Sequence, residues 1–159
     1  MRFSSQELID VAIGIEETGY YFYSKFREKM EDKAFKEIFG FLAEEELRHK
    51  DIFQRMLSNI PDKSGYFTEE YYSYLRALGN SRVFRNKNDI DKILPKIDTF
   101  EEIIRLGLDA ERDSILWYTE LREMYQDDPD SVTILNNLIN EERRHVVTLL
   151  ELKEKFESQ

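Results

Sequence analysis

Apolar residues recur along this chain with the period of an α-helix. From a start near Ser4, the residues Leu8, Ala12, Ile15, Gly19, Phe22, Phe26 and Met30 follow at spacings of three or four, which lines them along one helical face. A second stripe comprises Phe35, Ile38, Phe39, Leu42, Phe53, Met56 and Leu57. A third runs through Ile103, Leu106, Gly107, Ala110, Trp117, Leu121 and Met124, and a fourth through Val132, Leu135, Leu138, Ile139, Val146, Leu149, Leu152 and Phe156. These stripes predict four amphipathic helices, over residues 5–29, 33–58, 100–126 and 129–156. Their starts carry capping signals. Ser4 with Glu7, and Thr99 with Glu102, have capping-box spacing. Asp32 suits an N-cap, and Asp127-Asp128-Pro129 places proline at a first helical position.

Between residues 59 and 98 the pattern breaks. Ile60-Pro61-Asp62-Lys63-Ser64-Gly65 reads as a loop. Glu69 to Leu78 reads as a short helix rich in tyrosine, ended by Gly79-Asn80-Ser81. Asn86 to Pro95 reads as irregular, with a turn at Asp89–Leu94. Antiparallel neighbours in a bundle are joined by roughly 2–8 residues. A connection this long can cross the bundle end to end, so that the second and third helices run parallel. The expected fold is all-α: one domain over 1–159, a four-helix bundle of two hairpins joined by a single long crossover, as in ferritin-like bundles.

Charge and composition narrow the function. A net charge of −10 with no basic run repels a phosphate backbone and argues against nucleic-acid binding. The absence of cysteine excludes disulfides, zinc–thiolate sites and iron–sulfur clusters. Met1-Arg2-Phe3-Ser4-Ser5 lacks an apolar signal core, and no apolar run is long enough to span a bilayer. A soluble cytoplasmic protein is the expectation.

The chain has two histidines, and each stands three residues after a glutamate, in Glu46-Leu47-Arg48-His49 and Glu142-Arg143-Arg144-His145. Residues three apart share a helical face, and both pairs fall inside apolar stripes. A buried charge is costly unless paired or metal-bound. Glu16 and Glu111 lie roughly 70° from the centre of their stripes on the helical wheel, the inward choice. Glu17 and Glu44 point away and Glu45 sits at an edge; these three and Glu141 read as solvated or entrance charges. The halves also repeat. Ser4, Glu7, Glu16 and Tyr23 match Thr99, Glu102, Glu111 and Tyr118 at an offset of 95, and Glu46 and His49 match Glu142 and His145 at an offset of 96. A pseudo-twofold would put equivalent side chains on opposite sides of one central site. Four carboxylates balance two divalent cations. The six candidate ligands are Glu16, Glu46, His49, Glu111, Glu142 and His145. Such oxygen and imidazole donors suit iron or manganese, and accept zinc. Polar interior positions in a metal-free bundle are the plainer alternative.

The stretches Ala12-Ile13-Gly14-Ile15-Glu16-Glu17-Thr18-Gly19-Tyr20-Tyr21-Phe22-Tyr23 and Phe41-Leu42-Ala43-Glu44-Glu45-Glu46-Leu47-Arg48-His49 resemble the rubrerythrin branch of the ferritin-like superfamily. The resemblance implies two iron ions, Glu16 and His49 on one, Glu111 and His145 on the other, with Glu46 and Glu142 bridging. It also implies that Tyr23 and Tyr118 hydrogen-bond the metal-bound carboxylates; plain core packing is the alternative for these tyrosines. The chain departs from rubrerythrins in two ways: it has no cysteine for a rubredoxin iron, and Ser114 stands where they carry a further carboxylate, which Asp113 does not replace. The implied function is a di-iron carboxylate oxidoreductase that reacts with dioxygen or peroxide and draws electrons from a separate donor. Iron binding, buffering or storage without turnover is the alternative. A third reading is a metal-free interaction module. A homodimer is expected, and Tyr66, Phe67, Tyr71, Tyr72 and Tyr74 suit either a dimer face or a cover over the core.

Overall fold

A computed structural model describes residues 4–62 and 67–159. Met1, Arg2, Phe3, Lys63, Ser64, Gly65 and Tyr66 lie outside the described residues, and with them most of the first five residues, part of the expected loop and one crossover aromatic. Four long helices carry the fold: α1 (Ser5–Lys29), α2 (Lys33–Leu57), α5 (Phe100–Met124) and α6 (Pro129–Glu157). The crossover holds α3 (Glu69–Asn80), α4 (Lys87–Ile93) and a 3₁₀ turn at Leu94–Lys96. No strand occurs among the described residues.

The helix starts follow from local chemistry. The Ser4 N–H donates to Glu7 Oε2 at 2.6 Å while Glu7 N–H donates to Ser4 Oγ at 3.1 Å. Thr99 and Glu102 form the same reciprocal pair, so both repeats begin on a capping box. Asp32 accepts from Phe35 N–H at 3.1 Å and starts α2. At α6 the expectation is met only in part. Pro129 takes the first turn, but Asp128 makes no side-chain cap to the backbone and accepts from Ser131 Oγ instead.

Short turns fold α1 on α2 and α5 on α6, giving two antiparallel hairpins. The hairpins pack through α1 on α5 and α2 on α6. Phe35 stacks on Phe100 with ring centres 5.0 Å apart, and Phe53 lies 4.8 Å from Tyr118. Early residues thus meet early and late meet late, so α2 and α5 run parallel, as a crossover requires. α1 and α5 run opposite: Trp117 on late α5 donates Nε1–H to Leu8 O on early α1 at 3.0 Å.

The core divides into two apolar clusters. One gathers Phe22, Phe26, Phe39, Leu106 and Leu149; the other gathers Leu8, Phe53, Trp117, Tyr118 and Leu138. Trp117 is fully buried, and truncating it to alanine would cost roughly 3–5 kcal/mol. Along every long helix the candidate ligands fall between the residues of one cluster and those of the other.

The crossover is more ordered than its sequence predicts. α3 runs through Gly79 and Asn80 to a cap at Ser81; a single helical glycine costs only about 1 kcal/mol, which the burial of Tyr72 and Leu75 offsets. The turn expected at Asp89–Leu94 is a helix, begun by Asn86, whose side chain accepts from Asp89 N–H. At seven residues it is too short to show a stripe. Of the crossover aromatics, Tyr72 is buried and Tyr71 donates to Glu120 at 2.6 Å, while Tyr74 stays 44% exposed. None of the described helices is long and apolar enough to cross a membrane.

Candidate metal centre

The six candidate ligands come from the middle of the four long helices and meet in the layer between the two apolar clusters. Glu16 projects from α1, Glu46 and His49 from α2, Glu111 from α5, and Glu142 and His145 from α6. All six are buried, none more than 3% exposed. The i, i+3 spacing sets each Glu and His on the same helical face, as expected.

Their atoms form two overlapping groups. Glu16, Glu46, His49 and Glu142 bring ligand atoms within 4.8 Å of one another, and so do Glu46, Glu111, Glu142 and His145. Glu46 and Glu142 belong to both. His49 Nδ1 lies 3.5 Å from Glu16 Oε1, 3.9 Å from Glu46 Oε2 and 2.7 Å from Glu142 Oε1. His145 Nδ1 lies 3.4 Å from Glu46 Oε1, 3.3 Å from Glu111 Oε1 and 3.3 Å from Glu142 Oε2. Each shared carboxylate therefore turns one oxygen toward each histidine. Ligands at about 2.1 Å from one ion stand roughly 3.0–3.4 Å from each other, close to most of these separations. The two imidazoles are nearly parallel, 14° apart, with centres 5.6 Å from each other.

The donor set fits a pair of cations on a second count. Glu16 Oε2, Glu111 Oε2, both Glu142 oxygens and Nδ1 of both histidines are buried without an aligned hydrogen bond. Such a group costs roughly 1–3 kcal/mol when left unsatisfied, and six in one layer point to ligands the protein itself does not supply. Burial, then the charges of Glu46 and Glu142, raises the Glu16 carboxyl well above the usual range. Burial and Glu111 raise that of Glu142. For His49, burial favours the neutral ring, but the carboxylates of Glu142, Glu46 and Glu141 outweigh it and lift the pKa to about 9. His145 is raised further, against burial, by Glu111, Glu142 and Glu46. Protons thus gather in this layer where divalent cations would otherwise neutralise the carboxylates.

Two tyrosines cross between the hairpins. Tyr23 on α1 donates to Glu111 Oε1 on α5 at 2.5 Å, and Tyr118 on α5 donates to Glu16 Oε1 on α1. Burial and these carboxylates hold both phenols far above their ordinary pKa, so each keeps its proton and remains a donor.

The family model for Rubrerythrin matches residues 7–153. The chain belongs to the rubrerythrin family. Among solved structures it is similar to one from Thermotoga maritima described as a ferritin-like diiron-carboxylate protein. The TM-score is 0.77 and the identity 26%, over 96% of each chain. No curated protein matches the chain. The fold is accordingly a ferritin-like helical bundle, and its buried glutamates and histidines form two groups that could each hold a metal ion.

The sequence reading misses three contributors. Glu141, expected to be a solvated or entrance charge, is half-buried and lies 2.6 Å from His49 Nε2. A carboxylate there accepts, so Nε2 carries the proton and Nδ1 faces the other ligands. Arg48 ties Glu141 to Glu45, donating to both. The repeat holds the signal: both motifs read Glu-Glu-x-Arg-His, at Glu45–His49 and Glu141–His145. Gly19 is the second. A Cβ there would come within 3.2–3.3 Å of the Glu46 carboxylate, so its absence gives that side chain room. The third, Arg82, comes from the crossover and borders a small cavity beside Glu46 and Glu111, and no spacing along the chain marks it. Of the other charges, Glu44 is exposed and Glu17 pairs with Lys50 at 2.9 Å, both outside the centre.

Proposed function

We propose that the chain binds two iron ions and acts as an oxidoreductase toward dioxygen or peroxide, with electrons supplied by a separate donor. The observation that carries this reading is the pair of buried four-residue groups sharing Glu46 and Glu142, with six buried ligand atoms lacking hydrogen bonds. Glu16 and His49 serve one ion, Glu111 and His145 the other, and Glu46 and Glu142 both. When bound, two ferrous ions supply two electrons to a small oxidant. The protein's own part is to hold and to exclude. Tyr23 and Tyr118 fix Oε1 of Glu111 and of Glu16 and keep a proton at Oη beside them. Glu141 orients His49. The apolar clusters on either side keep the layer dry, which strengthens each electrostatic contact within it.

Anaerobic ferrous titration with metal analysis tests the binding. Two irons per chain are expected, falling to one or fewer in Glu46→Ala and in Glu142→Ala, since each carboxylate serves both ions. A single surface ion insensitive to both changes would overturn the site. Consumption of peroxide by the loaded protein with a reductant then separates turnover from iron buffering. Iron that is taken up and released without consuming oxidant would make the chain a buffer.

A further inference from the structure

A groove of about 670 Å³ runs along the outer side of α2 and α6, lined by the apolar side chains of Ile52, Met56, Ile134 and Leu138 and by Arg55. On the same helix, Phe41 is 55% exposed. Aromatic side chains in such a position are characteristic anchors of protein interfaces. A groove and an aromatic knob thus share one helix, but the knob does not line the groove of its own chain.

The outer face of α2 is also patterned. Glu37, Phe41, Glu45, Arg48, Ile52 and Arg55 follow at spacings of four, four, three, four and three, which keeps them within about 80° of one another on the helix. Their order is acid, aromatic, acid, base, aliphatic, base, and it is complementary to its own reverse. Phe41 stands as far before the midpoint between Glu46 and Leu47 as Ile52 stands after it, about 8 Å along the axis on either side. Glu45 and Arg48 are spaced evenly about the same midpoint, and Glu37 and Arg55 match to within one residue. A twofold axis through that point lays each residue on its complement, as an isologous contact requires. The outermost charges are paired loosely within their own helix, Glu37 with Lys33 at 3.9 Å and Arg55 with Asp51 at 3.7 Å. Glu44 and Asp51 border this face and approach like charges across the axis, but both are exposed, where single pair terms are small.

We propose that two copies of this chain associate through α2, antiparallel about a twofold axis beside Glu46 and Leu47, with Phe41 of each copy seated in the α2–α6 groove of the other. Glu37 of each copy meets Arg55 of the other. The pairing needs no metal, and it covers the Arg48–Glu141 contact on the outer side of His49. The crossover aromatics stay outside this interface.

Sedimentation equilibrium on the full chain, metal-free and over a range of concentrations, tests the pairing. The unmodified chain should be a dimer and Phe41→Glu a monomer. Glu37→Arg and Arg55→Glu each set like charges together twice per dimer and should raise the dimer Kd about tenfold or more. Combining the two restores opposite charges and should recover most of the affinity, a rescue that misfolding of either variant cannot mimic. Tyr20→Glu and Tyr74→Glu, on other faces of the molecule, should leave the Kd unchanged. An unmodified chain that stays monomeric would overturn the proposal. So would a dimer that survives Phe41→Glu, one broken instead by Tyr20→Glu or Tyr74→Glu, or a double variant no tighter than the single ones.

Discussion

The two halves of the centre are built from the same repeat, yet they are not equivalent. His49 is held from both sides: Nδ1 is 2.7 Å from Glu142 and Nε2 is 2.6 Å from Glu141. His145 Nδ1 instead stands between Glu46, Glu111 and Glu142 at 3.3–3.4 Å. Arg48 spans α2 and α6 by bonding Glu45 and Glu141. Its repeat partner Arg144 turns back to Asn140 O on its own helix. Gly19 leaves room for Glu46, whereas its counterpart Ser114 carries a hydroxyl bonded to Ala110 O. The repeat dictates the ligand positions. The surroundings have diverged, and they set how firmly each ligand is held.

Breaking the support around one histidine should expose that inequality most clearly. Partners that orient a ligating histidine are worth ~10–100-fold in metal affinity. Glu141→Gln is expected to weaken one of the two ions by about tenfold, and Glu45→Gln to have a smaller effect, since Glu45 acts only through Arg48. Stepwise metal titration reads both; equal losses would show that the Arg48 bridge, not the contact to His49, matters.

The glycine–serine pair gives the next contrast. Gly19→Ala puts a methyl against the Glu46 carboxylate and should shift a shared ligand, weakening both ions by several-fold, on the order of the outer-sphere effects above. Ser114→Ala removes only a hydroxyl bonded within its own helix and should leave affinity unchanged. Metal affinities that fall alike in both variants would contradict this account of Gly19.

The tyrosines are where the halves should agree. Tyr23→Phe and Tyr118→Phe each remove a buried donor to a carboxylate, and each should destabilise the metal-free fold by roughly 1.5–3 kcal/mol. Chemical denaturation measures this, and a large difference between them would extend the asymmetry to the carboxylate side.

The smallest effect concerns pH. His49 has a folded pKa of about 9 against 6.5 for an ordinary histidine, so its stabilising contribution is complete below 6.5 and is lost as pH rises through 9. Glu16 and Glu142, also raised, act in the same direction: folding favours their protonated forms, and ionisation removes that advantage. The melting temperature of the metal-free protein should therefore fall between pH 6.5 and 9. Metal loading displaces these protons and should flatten the dependence. A metal-free melting temperature that climbs with pH over that range would show that the layer does not hold protons as described.

Much of the site was legible in the chain because its logic is local. An i, i+3 pair on a helix needs no tertiary knowledge, and the wheel separated Glu16 from Glu17. The capping boxes at Ser4 and Thr99 were readable for the same reason. What escaped depends on distance in sequence. Glu141 matters through a ring on another helix, Gly19 through a side chain on α2, and Arg82 through the path of a crossover with no stripe. α4 was hidden by its length, and Gly79 looked like a stop because burial around α3 cannot be read from a propensity.

The crossed tyrosines have a mechanical consequence. Each hairpin supplies three residues to one group of ligands and a single shared carboxylate to the other, and each tyrosine reaches over to the opposite hairpin. Neither helix pair can complete its half alone. On the two-metal reading proposed above, the centre would act as a clasp along the seam: binding a cation would tighten the docking of one hairpin on the other, and prising the hairpins apart would release both cations together. Metal affinity and the strength of that seam would then be thermodynamically linked, accessible from either side.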